Sequence, residues 1–307
     1  KNAVVLDRGE VSVGAECEPI CEIELELKLG DPAALFGLAR KIDAIAPVRL
    51  GVVTKSERGY RLTEVRPASI KAEPVLLDPE VSTADAFKRI VQTCIRQYRL
   101  NEALLLSNRN PAALHQARVA IRRMRSAFSI FKPMIGDDGG GLREELKWLA
   151  SILGEARDLD VLLDRAPPGI LKDRVAAERE AAYDHVLDIL GSQRARTIVL
   201  NVAHWITQSR WISGENAEVD GGQPALVFAA AALTRFRRRV KKGGKNLAQI
   251  DDEARHEVRK NAKKLRYASE FFASLFTRKR EQRRHQHFDA GQEELQDRHG
   301  ALKDIAT

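Results

Sequence analysis

The run His115-Gln-Ala-Arg118-Val-Ala-Ile-Arg122-Arg123-Met-Arg125 sets one imidazole and four guanidiniums in eleven residues, with no acid between Pro111 and Phe131. On a helix turning about 100° per residue, with His115 at 0°, Arg118 falls at about 300°, Arg122 at about 340° and Arg125 at about 280°. Ala117, Ile121, Met124 and Phe128 fall between about 180° and 240°, the stripe that faces a core. The pattern returns after 141 residues as His256-Glu-Val-Arg259-Lys260-Asn-Ala-Lys263-Lys264-Leu-Arg266. Here Val258, Ala262 and Leu265 form the core stripe, and Glu257, the one acid, is expected to point away from the basic arc. Like charges three or four residues apart destabilise a helix by a few tenths of a kcal/mol per pair, and a solvated helix relieves them with interleaved Glu. That relief is missing twice, which favours a ligand face over a solvated one. Guanidinium forks match phosphate oxygens, and ammonium groups add point charge. Base reading calls for Asn or Gln, and base stacking for aromatics. Both arcs lack these groups, so a ligand that is phosphate alone fits better than nucleic acid.

A second pair of motifs follows in the same order, Gly154-Glu-Ala-Arg157-Asp158 and Gly300-Ala-Leu-Lys303-Asp304. Two ordered matches imply two similar helical halves, with the two arcs facing one shared channel. Long segments of helical period run over about 83–106, 111–132, 141–165, 171–190, 195–210, 224–241, 251–276 and 281–300, separated by short Gly- or Pro-containing breaks. Ser82 and Asp85 form a capping-box pattern at the first of them. Two more basic runs, Arg235 to Lys245 and Arg278 to Arg284, either extend the patch or are solvated helix ends.

Residues 1–72 read differently. Val4 to Leu6, a turn at Asp7 to Glu10, and Val11 to Val13 suggest strand, turn and strand. Residues 20–29 alternate apolar and charged, a strand with Glu22, Glu24 and Glu26 on one face. Asp31-Pro32 opens a helix to about Ile45, and Val52 to Leu62 reads as a last strand. The Glu row either meets water or suits Mg²⁺ or Mn²⁺, which take oxygen ligands. Pro-punctuated residues 73–82 read as a linker to a helical domain at 83–307.

The chain has 307 residues with a net charge of +8. Residues 1–72 hold 11 basic and 11 acidic residues, so the excess lies in 73–307 and points there to a polyanion. With 44% hydrophobic residues and few Gly and Pro, the composition excludes collagen-like and mostly disordered chains. No apolar run approaches the roughly twenty residues of a membrane span, so no membrane partner is expected. Cys17, Cys21 and Cys94 make neither a disulfide framework nor a zinc site, and the expected compartment is the cytoplasm. The sequence leaves oligomeric state open.

The paired His-x-x-Arg-x-x-x-Arg-Arg-x-Arg and His-x-x-Arg-Lys-x-x-Lys-Lys-x-Arg-Tyr helices resemble the hallmark of the CHAD family, the conserved-histidine α-helical domain. The resemblance covers about residues 83–307 and implies a mainly α fold of two four-helix halves that binds inorganic polyphosphate. Carried over by position, the ligand residues are His115, Arg118, Arg122, Arg123, Arg125, His256, Arg259, Lys260, Lys263, Lys264 and Arg266. No cofactor is implied for that binding. Asp7-Arg-Gly-Glu10, Glu22-Ile-Glu24-Leu-Glu26-Leu-Lys28 and Lys55-Ser-Glu-Arg58-Gly-Tyr-Arg61-Leu62 resemble the C-terminal part of a CYTH domain. That family builds a β-tunnel that hydrolyses triphosphates with a divalent metal. The resemblance implies Lys55, Arg58 and Arg61 as triphosphate contacts and Glu22, Glu24 and Glu26 as ligands for Mg²⁺ or Mn²⁺. The alternative function is therefore a metal-dependent tri- or polyphosphatase whose helical domain holds the substrate. Half of such a tunnel is absent from residues 1–72, so little catalysis is expected of this stretch.

Overall fold

The computed structural model describes residues 1–136, 139–208, 211, 220–245 and 249–276. Strands β1 (Asn2–Val13) and β2 (Glu16–Leu27) form one antiparallel hairpin in which Asp7 pairs with Glu22 and Val5 with Glu24. Ten α-helices follow among the described residues: α1 (Ala33–Ile45), α2 (Lys55–Leu62), α3 (Thr83–Ser107), α4 (Pro111–Ile130), α5 (Lys132–Ile135), α6 (Gly140–Arg165), α7 (Ile170–Gly191), α8 (Gln193–Gln208), α9 (Ala225–Gly243) and α10 (Asp252–Phe272).

Two expectations for the N-terminal part are corrected. The turn is not at Asp7 to Glu10. The chain stays extended to Val13 and reverses at Gly14, whose φ of 63° is the left-handed conformation glycine tolerates. Val52 to Leu62 is not a strand: its second part is helix α2. Thr54 caps that helix by accepting from the Glu57 N–H, and Glu57 to Arg61 is an i, i+4 ion pair. These local signals outweigh a weak apolar alternation. The expected helix at 281–300, the run Arg278–Arg284 and the motif Gly300–Asp304 lie outside the described residues.

The chain divides into two compact units. The first comprises residues 1–72, 94–122 and 139–210, and the second residues 73–93, 123–138 and 211–307. In the first, α6 packs on α7, and α1 packs on α8. Leu146, Leu149, Leu153 and Ala156 of α6 are buried at helical spacing, as are Val175, Tyr183, Val186 and Leu190 of α7. Arginines strap the N-terminal segment onto this body. Arg99 donates to the Leu50 carbonyl, Arg96 to the Val52 carbonyl and Glu57, and Arg40 to Asn201. Asn101 bonds both the N–H and the carbonyl of Ile70. Asp43 is buried, and its carboxyl stays below the usual range: burial raises it, but Arg196 and the Val48 N–H more than offset that.

In the second unit the starts of α3 and α9 meet as an antiparallel bridge. Thr83 N–H donates to the Gln223 carbonyl and Ala225 N–H to the Val81 carbonyl. Ser82 caps α3 as expected, accepting from the Asp85 N–H. Below them Phe87, Phe128, Phe131, Trp211, Phe228 and Phe272 form an aromatic core, with Phe131 and Phe228 stacked at 4.6 Å.

Candidate anion-binding site

Helix α4 is buried over most of its circumference. Ala113, Ala117, Ala120, Met124, Ala127 and Phe128 are all inaccessible or nearly so, and the small residues let neighbouring backbones approach. The side left partly open carries His115, Arg118 and Arg122 at half-buried positions, with Arg125 exposed. The expected arc is therefore the one open strip of this helix.

Helix α6 completes the strip within the first unit. Gly154 lies against the Arg118 guanidinium, 3.4 Å from Nη2 to where a Cβ would stand. One turn on, Arg157 lies close enough to act on His115, and the exposed Asp158 faces Arg118 at 3.8 Å. Arg157 is held from behind by Asp160, at 3.7 Å. That buried carboxylate also accepts from Arg179 Nε at 2.8 Å and the Tyr183 hydroxyl at 3.0 Å.

Burial lowers the pKa of His115, and the charges of Arg157, Arg122 and Arg118 lower it further. Its Nδ1 is buried and has no hydrogen-bond partner among the described residues. Burial also lowers the pKa of Arg118, with Arg122 and Arg157 acting the same way against Asp158. Three guanidiniums thus crowd one imidazole, and the exposed Asp158 is a weak compensation. A surface pair of that kind contributes at most about 1 kcal/mol. The arrangement offers converging, charge-assisted donors to an oxyanion.

Arg157 is not in the expected ligand set. The repeated Gly-x-x-basic-Asp motif is the signal that could have placed it there. Arg123 departs from that set. At about 80° on the helix it falls inside the buried arc, 2% exposed, paired with Glu270 and lying 5.2 Å from the Phe271 ring centroid. The apolar stripe alone understates the width of the core, because the small residues Ala120 and Ala127 extend it toward Arg123.

In the second unit α10 displays His256, Lys260 and Lys263 exposed, and Arg259, Lys264 and Arg266 half-buried. Leu265 is buried as expected, and Arg266 lies 4.8 Å from the Tyr267 ring centroid. Glu257 does not point away from the cations: it pairs with Lys260, and its pKa is lowered by Lys260, Lys264 and His256. Asp251 caps this helix through the Ala254 N–H.

The N-terminal carboxylates gather around a cation that the chain supplies itself. Asp7, Glu22 and Glu24 bring their oxygens together, and Lys55 bonds Asp7 and Glu24 and stands 3.5 Å from Glu22. The Lys55 pKa is raised, through its hydrogen bonds to Asp7 and Glu24. Arg58 bonds Glu18 and Glu22, Arg61 pairs with Glu57, and Glu26 pairs with Lys28. The three expected phosphate contacts are thus engaged by carboxylates, and an ammonium stands where Mg²⁺ or Mn²⁺ would. The carboxylates that could gather round a metal ion are thus satisfied by Lys55 in this arrangement.

Comparison with known proteins bears on the helical part. The family model described as CHAD domain matches residues 89–307. A crystal structure of the CHAD domain from the plant Ricinus communis is similar with a TM-score of 0.64 and 28% identity, over 76% of this chain and 80% of that one. Two uncharacterized proteins of Mycobacterium tuberculosis, from the Oshkosh and H37Rv strains, are each 27% identical over 203 residues. The match covers 61% of this chain and 39% of theirs, so the chain spans about two-fifths of the length of these relatives. No helix among the described residues is long and apolar enough to cross a membrane.

Proposed function

Since the chain belongs to the CHAD family, we propose that its helical part binds inorganic polyphosphate and that the open strip of α4 with Arg157 is a contact point. The observation that carries this reading is one half-buried histidine within reach of the charges of Arg118, Arg122 and Arg157, with Gly154 and the exposed Asp158 beside Arg118. Such crowding costs folding free energy, and an oxyanion ligand offsets it. Polyphosphate supplies about one charge per phosphate and no bases to read, which matches a face of cations without Asn, Gln or exposed aromatics. Binding requires only these side chains and no cofactor. α10 supplies a second set in His256, Arg259, Lys263, Lys264 and Arg266.

The test is a binding titration with fluorescent polyphosphate on the whole chain and on paired reversals. Arg118→Glu with Arg122→Glu removes two charge-assisted contacts, each of about 1.5–3 kcal/mol, so affinity should fall at least 100-fold while the helical circular dichroism persists. Arg259→Glu with Lys263→Glu should act in the same direction. Unchanged affinity in both pairs would overturn the reading.

A further inference from the structure

Helices α3 and α9 are repeat partners at the same 141-residue spacing as the His-led helices. Ala84 matches Ala225, Phe87 matches Phe228, Thr93 matches Thr234 and Arg96 matches Arg237. Their core positions agree, since Phe87, Val91 and Ile95 are buried on α3, as are Phe228, Ala232 and Phe236 on α9. Their outer faces do not. On α3, Gln97, Tyr98, Leu100 and Asn101 are all buried, and the N-terminal strap runs over them, with Arg99 on the Leu50 carbonyl and Asn101 on Ile70. The equivalent residues of α9 are Arg238, Arg239, Lys241 and Lys242, and all four are exposed.

We propose that this outer face of α9, Arg237 to Lys242, is a second polyanion-binding surface that takes a further stretch of a long polyphosphate chain; the inference rests on the polyphosphate reading above. No acid occurs from Ala225 to Ile250. The pairs Arg237 with Lys241, Arg238 with Lys242 and Arg235 with Arg239 stand at i, i+4 and repel one another. The helix C-terminus favours Lys241 and Lys242 but leaves the arginines a turn earlier unexplained. No ion pair to Arg237, Arg238, Lys241 or Lys242 occurs among the described residues. The face carries no exposed apolar side chain to anchor a protein partner, since Phe236 is buried, with Arg235 and Arg239 over its ring. A Cβ on Gly243 would strike Val258 Cγ2 at 2.5 Å, so the end of α9 packs on α10 by its core side, and the four cations lie on the side turned away from that contact.

The experiment compares a long polyphosphate, tens of units or more, with tripolyphosphate. The protein is the whole chain and a variant carrying Arg237→Gln, Arg238→Gln, Lys241→Gln and Lys242→Gln. Affinity for the long chain should fall about tenfold or more. The salt slope should drop by about three, since each phosphate that the four cations no longer neutralise removes about 0.7–0.9 from it. Tripolyphosphate affinity should stay within about twofold. Arg237→Lys with Arg238→Lys should keep both the affinity and the slope. An unchanged slope and long-chain affinity would overturn the proposal, as would an equal loss for tripolyphosphate. A larger loss for duplex DNA than for polyphosphate would assign the face to nucleic acid and overturn it too. If the unaltered chain binds no polyphosphate, the parent reading fails; if it binds but ignores α9, only this inference fails.

Discussion

The guanidinium of Arg118 lies over the bare backbone of Gly154, with Nη2 3.4 Å from where a Cβ would be. Glycine costs a helix interior about 0.5–1 kcal/mol relative to alanine, and the arginine leaves room at Gly154 for no more than a methyl. One methyl fits at ordinary contact distance. Gly154→Ala should therefore raise stability by about 0.5–1 kcal/mol and leave polyphosphate affinity nearly unchanged. Gly154→Leu should displace Arg118 and weaken binding about tenfold or more. Denaturant titration and binding on the same two variants read both signs.

The pKa of His115 is lowered by burial and then by Arg157, Arg122 and Arg118. The fold therefore favours the neutral ring; that contribution is present above the unfolded value of about 6.5 and is lost as pH falls through the lower folded value. A bound polyanion reverses the field and raises the pKa. Affinity should climb as pH falls from the bound-state value down to the free-state value, which lies below about 6.5. The charges of Arg157, Arg122 and Arg118 all act on His115, and Asp158 faces Arg118. Calorimetry in buffers of different ionisation enthalpy should detect proton uptake on binding that is reduced in His115→Gln, with His256 left to supply the remainder; equal uptake in both proteins would refute this.

Arg157 joins the site through a chain of contacts in which the buried Asp160 holds it from one side and Arg179 and Tyr183 fix Asp160 from the other. Arg157→Gln should weaken polyphosphate binding about tenfold. Asp160→Asn should weaken it less, and that effect should vanish when Arg157 is already Gln. Additive losses in the double variant would show that Asp160 acts elsewhere.

Arg123 is a core residue, whatever its place in the basic motif. Its guanidinium is 2% exposed, and Glu270 is its ion-pair partner. Removing the acid leaves a buried charge uncompensated, so Glu270→Gln should cost about 2–3 kcal/mol of stability, the partial exposure of Glu270 holding the cost below that of a wholly buried pair. Polyphosphate affinity at temperatures where the fold survives should be unchanged.

Much of this site is legible in the sequence because helical period and charge are local properties. The His-led runs, the core stripe of α4, the Ser82 cap and seven of the eight expected helices follow from spacing alone, while of the α10 stripe Leu265 is buried and Val258 and Ala262 are half-buried; the eighth helix, at 281–300, falls outside the described residues. The failures are of another kind. Arg123 sits inside a core widened by alanines, which carry no strong hydrophobic signal. Lys55 finds its partners 31 and 48 residues away, which spacing within one element does not foretell, and the i, i+3 spacing of Glu257 and Lys260 is outweighed on the wheel by the position of Glu257 off the arc. Helix α2 is hard to see because its eight residues carry a mostly polar pattern, and the Thr54 cap and the Glu57–Arg61 spacing are what betray it. Arg157 enters the site because α6 passes beside α4, and the repeated Gly-x-x-basic-Asp motif is the one sequence signal for it.

The measurement that bears most directly on polyphosphate binding is competition at physiological salt. Labelled polyphosphate is bound to the whole chain, and unlabelled polyphosphate or duplex DNA is added at equal phosphate concentration. The account predicts displacement by polyphosphate, little displacement by DNA, and at least 100-fold weaker binding once Arg118 and Arg122 are both changed to Glu. Equal displacement by DNA, or affinity that survives that double reversal, would contradict it.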